Sequence, residues 1–398
     1  MRFLCLVAML AACAPSEPAP RPPRQDPARS AAAVSAARAG QFESAQREAD
    51  RVLAVVPRDS SASAVRALAR YQRAGEVLIH EIGAVIERGE TFKFLDHEQG
   101  RKAWLTVLGE LEAVDRDLAI AAQDPHFALE LCLACWEHDW NRSGAVDERD
   151  RKLFELEYDG AGGELADGDP RRRPTYRFDV GDVLWARAMI SFQRGVVELV
   201  LAYRWSELDK LFSGNDRSIT IKLVDAGRVR RAHNLFVSAL AFSGQEREAY
   251  LSETDDDREW VPNPRQKSYA MPLVVDAELY ETWGKVLGDV QRWLAGQEGI
   301  SLREAAALID EDDANMLPAA YVDLGRMLGE PTDIVFDLRS DGAKTAVIER
   351  ALRGLLGNGY VKSMRASPLV GRLRHMKEQL SRGEDSLEKK LRYLFWLN

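Results

Sequence analysis

Residues 40–74 have the sequence GQFESAQREADRVLAVVPRDSSASAVRALARYQRA. Small and apolar side chains recur here at intervals of three and four residues, which is the spacing of one face of an α-helix. Small residues let two helices approach closely. Pro57 ends the first helix because proline has no amide hydrogen to donate and its ring clashes with the preceding turn. The stretch therefore predicts two paired helices joined at the proline.

This segment resembles the second helix of a tetratricopeptide repeat followed by the start of the next repeat. The family's glycine, aromatic residue, small residue, leucine and helix-ending proline correspond here to Gly40, Phe42, Ala45, Leu53 and Pro57. Stacked repeats need neighbours to bury their faces, and the resemblance covers only about one and a half repeats. It implies tetratricopeptide-like helices over residues 31–125 that dock on the rest of the chain.

The helical period continues through most of the remaining sequence. Strand signals are scarce, and Ser301 with Glu304 has the pattern of a helix capping box. The sequence therefore predicts an all-α fold, in which a helical-repeat-like N-terminal part packs on a larger helical body, residues 161–398, with a basic C-terminal segment. The predicted helices beyond the repeat-like stretch cover residues 77–86, 104–122, 127–136, 183–212, 229–242, 275–294, 301–309 and 318–328.

The N-terminus has the pattern of a secretion signal. Residues 1–12 combine one positive charge with a short apolar run, too short to span a membrane. The run ends in LAAC, residues 10–13, which resembles the lipobox of bacterial lipoproteins. The resemblance implies that Cys13 becomes the lipidated N-terminus (palmitate among its acyl chains). Because Ala14 replaces the aspartate that retains such proteins at the inner membrane, it also implies an outer-membrane anchor.

Composition limits the partners. Residues 13–30 are rich in proline and read as an extended tether between the lipid and the folded body. The formal net charge of −9 argues against nucleic acid as a partner, since phosphate backbones attract basic surfaces. The expected partners are the membrane, through the lipid anchor, and an envelope protein of unknown identity.

The stretch DWNRSGAVDERD, residues 139–150, predicts a calcium site. Hard divalent cations take several oxygen ligands from a tightly curved chain, and Gly144 permits the sharp turn. The stretch resembles an EF-hand loop, closest to the variant found in dockerin modules. The resemblance implies side-chain or backbone oxygen ligands for Ca²⁺ from Asp139, Asn141, Ser143, Ala145, Asp147 and Asp150.

The flanks of this loop also favour an EF-hand-like helix-loop-helix over residues 126–160. An entering helix is expected over 127–138 and a leaving helix over 150–157. Asp150 is shorter than the usual closing glutamate, and a single loop is recognisable, so the expected Kd for calcium is about 10⁻⁵ to 10⁻³ M. A structural role is expected rather than a sensing one.

The cysteines leave several interpretations open. With Cys5 removed and Cys13 lipidated, only Cys132 and Cys135 remain, as Cys-Leu-Ala-Cys. A zinc site with His138 has workable spacing, and a thioredoxin-like redox pair lacks the strand and helix that should flank it. The pair is otherwise two small buried residues on a helix, or an i,i+3 disulfide in an oxidising compartment.

Motifs of known enzymes were not recognised, so the sequence favours a non-enzymatic binding or scaffolding module. A metal-dependent hydrolase that uses the acidic region 139–169 is the rival, and a purely structural lipoprotein is a third interpretation. A deep pocket lined by converging His, Asp and Glu would favour the hydrolase. The run of Asp255, Asp256 and Asp257 offers a further cation option, although a solvated charge run is expected there.

Overall fold

The structure is a computed structural model, and the largely α-helical fold predicted from the sequence is confirmed. No helix in the described part of the chain is both long and apolar enough to cross a membrane. The predicted signal peptide and Cys13 lie outside the described residues. The residues that the structure describes are 27–88, 97–140, 143–159, 163–208, 210, 218–256, 258–267, 269–270, 276–308, 314–337, 339 and 343–380.

The N-terminal part consists of consecutive helices, each of which contacts the next. Helix α1 begins at Pro27, inside the predicted tether, because proline suits the first turn of a helix. The contacting faces carry small side chains that are fully buried, among them Ala37, Ala45 and Ala62. The helices are α1 (Pro27–Arg38), α2 (Phe42–Val55), α3 (Ser60–Arg88) and α4 (His97–Ala121).

An ionic contact joins α3 to α4. Asp117 is buried, and it accepts hydrogen bonds from Arg66 at 2.6 and 2.9 Å and from Arg70 at 3.1 Å. Arg66 also reaches Asp50 of α2 at 3.1 Å, but that carboxylate is half exposed. Asp117 of α4 thus binds two arginines of α3 and holds the two helices together.

Replacing Ala45 by leucine should destabilise the N-terminal helices. Ala45 lies on the buried face of α2, so a larger side chain must separate α2 from its neighbours. The expected loss is about 1 to 3 kcal/mol of unfolding free energy, measured by chemical denaturation. Ser44→Leu, on the partly exposed side of the same turn, is the matched control. An unchanged stability of the Ala45 variant would contradict a close helix contact there.

The helix predicted over residues 127–138 is wrong. The chain instead forms strand β1 (Leu129–Leu131) and a 3₁₀ turn (Leu133–Cys135). Strand β1 pairs antiparallel with β2 (Tyr176–Phe178). The reason is visible in the sequence, since Phe127 and the three leucines at 129, 131 and 133 alternate with other residues and are all buried, which is the period of a strand. The leaving helix exists as a short α5 (Glu148–Lys152).

Long helices form the body, with boundaries that differ from those predicted. The helix predicted to reach residue 212 is α6 (Val180–Ala202), because the chain then enters strand β3 (Tyr203–Arg204). Helix α7 (Ala226–Ser252) runs further than predicted and packs along α6. Gly195 of α6 permits this approach, since a Cβ there would lie 2.5 Å from the ring of Phe236. Helix α8 (Ala277–Leu294) comes next along the chain.

Short antiparallel strands, which the sequence did not predict, complete the body. Strand β4 (Ser218–Leu223) lies between β3 and β7 (Ile334–Asp337), and β6 (Tyr321–Val322) lies between β5 (Ile300–Ser301) and β8 (Tyr360–Val361). The helix predicted over 318–328 is therefore split into β6 and a short helix. Ser301 caps its helix as predicted, accepting the Glu304 amide. The remaining helices are α9 (Leu302–Ala306), α10 (Leu324–Gly329), α11 (Lys344–Leu356) and α12 (Leu369–Leu380).

Helix α6 contributes to two hydrophobic cores. Val183, Ile190 and Leu201 belong to the larger core, which also takes in the N-terminal helices and strands β1 and β2. Ala202 and Leu199, at the end of the same helix, pack in a second core with α7 and strand β4. The helix therefore connects the N-terminal part to the body.

Candidate functional site

Two aspartates at the start of helix α6 form reciprocal hydrogen bonds with the backbone of its first turn. The Asp179 side chain accepts the Gly181 amide at 2.7 Å, and the Asp182 side chain accepts the Asp179 amide at 2.9 Å. This reciprocal arrangement is a capping box, and it satisfies backbone donors that the first turn of a helix leaves free. The cap also fixes two carboxylates side by side at the start of α6.

The end of helix α7 brings further polar groups to the same place. Glu246 and Tyr250 lie four residues apart on one face of the helix, and Glu253, three residues further on, is the residue at which the helix ends. The Tyr250 hydroxyl donates to Asp182 Oδ1 at 2.8 Å, and both side chains are buried. The hydrogen bond ties the last turns of α7 to the first turn of α6.

The segment that follows α7 brings Glu259 to the same cluster of carboxylates and holds Glu253 in place. Glu259 is buried, and Gln266 donates through Nε2 to Glu253 Oε2 at 3.2 Å. Asn263 Nδ2 donates to the Tyr250 carbonyl at 2.8 Å, which holds the segment against the helix. We call the group formed by Asp179, Asp182, Glu246, Glu253 and Glu259 the acidic centre.

Three carboxylates of the acidic centre converge. One oxygen from each of Asp179, Glu253 and Glu259 lies within 4.8 Å of the other two. Glu253 Oε1 is buried and accepts no hydrogen bond. A buried polar atom left unpaired is costly, and three hard oxygen donors at this separation are what a divalent cation such as calcium takes as ligands.

The electrostatics of the centre favour bound positive charge. Among the described residues, no lysine or arginine forms an ion pair with Asp182, Glu246 or Glu253. Burial, followed by repulsion from Asp179, raises the pKa of Glu253 to about 10. Burial likewise raises the pKa of Asp182, with Asp179 adding to the effect, and burial raises the pKa of Glu246. At neutral pH Glu253 therefore holds a proton unless a cation replaces it.

The predicted calcium loop lies elsewhere, and Asn141 is outside the described residues. Asp139 accepts the amides of Ser143 at 2.9 Å and Gly144 at 2.7 Å. Gly144 has φ +96°, so the glycine makes the predicted sharp turn. The Ser143 hydroxyl donates to the Ala145 carbonyl at 2.9 Å. The loop is therefore curved by its own polar groups.

The end of the loop is a helix cap. Asp147 accepts the amides of Arg149 and Asp150, and Asp150 accepts the Asp147 amide at 2.9 Å. Asp150 also accepts the Trp140 amide at 3.0 Å, and it is buried. Within the part of the chain that the structure describes, the three converging carboxylates are those of the acidic centre and not those of this loop. Calcium binding by the loop stays a prediction.

The cysteine pair forms a disulfide between Cys132 and Cys135, in the 3₁₀ turn rather than on a helix. A disulfide offers no thiolate to zinc. His138, the third ligand of the zinc interpretation, lies 3.1 Å from Glu76 of α3 through its Nε2. The pair therefore closes a short covalent loop between strand β1 and the predicted calcium loop.

The acidic stretch that the hydrolase interpretation uses is tied to neighbouring arginines. Arg171 contacts Asp159 at 3.3 Å and Asp169 at 2.8 Å. Glu155 is held by Arg172 and Arg173, and Asp167 also contacts Arg172. Each of these four carboxylates therefore has an arginine partner.

The acidic centre was not predicted from the sequence, although the neighbouring run of Asp255, Asp256 and Asp257 was named as a cation option. Asp255 contacts Arg177 at 3.3 Å, Asp256 accepts the Lys267 amide at 2.8 Å, and Asp257 lies outside the described residues. The converging groups are instead the glutamates on either side of this run. The available signals were the Asp-x-x-Asp cap before an apolar helix and the spacing of Glu246 and Glu253.

Comparison with known proteins adds no relative. The chain has no significant match to any family model, to any curated protein or to any solved structure. The function of the chain is therefore inferred from its residues and their geometry.

Proposed function

We propose that this chain is a calcium-binding lipoprotein of the bacterial envelope, in which a helical body acts as a binding or scaffolding module. The observation that carries the proposal is the convergence of Asp179, Glu253 and Glu259, with a buried oxygen of Glu253 left unpaired. All three ligands are carboxylate oxygens. Hard cations prefer such a set, and calcium tolerates irregular geometry better than magnesium does.

The cation has a structural task in this proposal. Its ligands come from the first turn of α6, the end of α7 and the segment that follows α7. A bound ion would join these three pieces and offset the repulsion between their carboxylates. It would thereby fix the packing of α6 on α7, on which the link between the N-terminal part and the body depends.

Calcium should raise the melting temperature. Ligand binding to the folded state alone adds about 2.7 kcal/mol at a hundredfold excess over Kd, or about 3 °C for a chain of this size. Glu253→Gln should abolish most of this rise, because the amide has lost the charge and one acceptor oxygen. Asp255→Asn is the matched control, since this exposed carboxylate lies in the same segment and contacts Arg177.

The same titration separates the acidic centre from the predicted loop. Asp139→Asn removes one carboxylate of the EF-hand-like loop and leaves the acidic centre intact. A calcium response that survives Glu253→Gln but disappears in Asp139→Asn would assign calcium to the loop and contradict the proposal for the acidic centre. Absence of a response in the wild-type protein at millimolar calcium would overturn both.

The scaffolding part of the proposal rests on the N-terminal helices. Their contact faces carry fully buried alanines, as expected for the tetratricopeptide-like packing that the sequence resembles. Phe42 and Leu53 are buried on the same face of α2. Helix arrays of this kind present extended surfaces to partner proteins. The proposed partner is a protein of the envelope.

Cys13→Ser should release the protein from the membrane. Acyl chains on Cys13 supply the membrane affinity in this proposal, and serine cannot receive them. Fractionation of cells should find the variant as unprocessed precursor or as a protein free of membrane. Cys5→Ser is the control, because Cys5 leaves with the signal peptide. A processed Cys13→Ser variant in the outer membrane would contradict the lipid anchor.

A further inference from the structure

A polar cleft of about 850 Å³ opens between the end of helix α8, helix α9 and the start of helix α12. It lies in the basic C-terminal part of the chain, and no carboxylate of the acidic centre lines it. The charged side chains on its wall are those of Arg292, Glu298, Glu304, Arg365, Arg372 and Arg374. The cleft therefore offers charges of both signs to a ligand.

Two buried carboxylates hold three of these arginines in place. Asp289 of α8 is fully buried and contacts Arg292 and, at 2.9 Å, Nε of Arg372. The Glu298 side chain is 3% exposed and contacts Arg292 at 3.1 Å and Nε of Arg365 at 3.4 Å. Among the described residues, the terminal nitrogens of Arg365 and Arg372 donate no hydrogen bond. These nitrogens can therefore donate to an anion that enters the cleft.

Backbone packing fixes the walls of the cleft. The Gly299 amide donates to the Arg365 carbonyl at 2.9 Å, which ties the segment before α12 to the turn that follows α8. Ala305 of α9 packs on a core that contains Val370 of α12. Glu304 precedes Ala305 in the chain, so its carboxylate lies close to the first turn of α12. The arginines and Glu304 are thus held around one opening.

Two charged residues of the cleft have no ionic partner in the part of the chain that the structure describes. These are Arg374 and Glu304, and both are exposed. Asp289 and Glu298 balance two of the four arginine charges, which leaves two positive charges for an anion. Glu304 leaves one negative charge for a cation. A phosphate group suits the arginines better than a carboxylate does, because it has more acceptor oxygens and more charge.

We propose that this cleft binds a ligand that carries both a phosphate group and an ammonium group. The arginines bind the phosphate oxygens through their free terminal nitrogens, and Glu304 binds the ammonium. Phosphoethanolamine carries both groups, and the same pair occurs in the head group of phosphatidylethanolamine. The site does not depend on the calcium proposal, because its residues are separate from those of the acidic centre.

The test is a calorimetric titration of the full chain, in calcium-free buffer, with phosphoethanolamine, inorganic phosphate and ethanolamine. Phosphoethanolamine should bind about fivefold more tightly than phosphate, because phosphate lacks the ammonium that pairs with exposed Glu304. Ethanolamine alone should not bind. Failure of phosphoethanolamine to bind at millimolar concentration would overturn the proposal, and so would equal affinities for phosphoethanolamine and phosphate.

Two variants assign the binding to the cleft, and neither removes an ion pair of the described fold. Glu304→Gln should lower the affinity for phosphoethanolamine to that for phosphate, without weakening phosphate. Arg374→Gln should weaken both ligands by about fivefold. Lys377→Gln removes the same charge from α12 outside the cleft lining and should change both affinities by less than about twofold. Unchanged binding in Glu304→Gln and Arg374→Gln would contradict the assignment.

Vesicles distinguish a lipid head group from a soluble ligand. The Cys13→Ser chain, which lacks the proposed anchor, is sedimented with vesicles of phosphatidylcholine that do or do not contain phosphatidylethanolamine. Greater binding to the mixed vesicles, lost in the additional variant Arg374→Gln, would identify the head group as the source. Equal binding to the two kinds of vesicle, with the calorimetric result intact, would identify a soluble phosphate ester.

Discussion

Asp117→Ala should lower the unfolding free energy by about 3 to 5 kcal/mol, the cost of removing one partner from a buried ionic contact. The Asp117 side chain is only 3% exposed and holds both Arg66 and Arg70. Without it, two partly buried guanidinium groups between α3 and α4 lose their carboxylate. Chemical denaturation of the folded protein measures the change.

Asp50→Ala is the matched control, because Asp50 contacts the same Arg66 from a position 47% exposed to solvent. Exposed ion pairs contribute about 0 to 1 kcal/mol, so this variant should stay close to the wild type. Equal losses in the two variants would mean that burial does not determine the strength of the contact. They would also remove the ionic contribution assigned to the α3–α4 interface.

Stability without divalent cations should fall steeply as the pH rises through neutrality. The folded-state pKa of Glu253 is raised from its ordinary value to about 10, so between about pH 4.5 and 10 the folded state holds a proton that the unfolded state has released. The contribution of Glu253 to the unfolding free energy is therefore fully present below about pH 4.5 and is lost as the pH rises towards 10. The loss is at most about 1.4 kcal/mol per pH unit.

Glu253→Gln measures this contribution, because glutamine resembles the protonated acid and does not titrate. In a chelator, the wild-type curve of unfolding free energy should fall more steeply than that of the variant from pH 6 to 9. Buried Asp182 and Glu246, whose pKa values are also raised, add to the slope in both proteins. Calcium should flatten the wild-type curve, since a cation replaces the protons. Parallel curves would contradict the raised pKa of Glu253.

The helices could be predicted where the apolar period is long. Helix α8, predicted over 275–294, and the end of α4, predicted over 104–122, lie close to their predicted positions, whereas α3 is one continuous helix that extends well beyond the predicted 77–86. The helix predicted over 127–138 failed because its apolar residues alternate with the period of a strand, and the strand that they form pairs with β2. The two-residue strands of the body have no period to detect, whereas β4 alternates buried Ile219 and Ile221 with polar residues, a strand signal that the prediction missed.

The acidic centre as a whole could not be predicted from the sequence, because local spacing relates only some of its members. Its members are separated by most of α6 and α7, and they meet only because those helices pack along each other. The acidic stretch 139–169 is denser in sequence, yet Asp159 and Asp169 contact Arg171, and Asp139 and Asp150 accept backbone amides. The high local density of charge thus favoured the loop at residues 139–150 as the cation site, whereas tertiary packing brings together the carboxylates of the acidic centre.

The position of helix α6 in two cores affects how the protein unfolds. Because its side chains are divided between two cores, unfolding of this helix exposes apolar surface of both cores. Its backbone amides should therefore be the slowest in the chain to exchange with deuterium, and their exchange should report complete unfolding rather than local fraying. Heating should accordingly disrupt the N-terminal helices and the body in a single calorimetric transition.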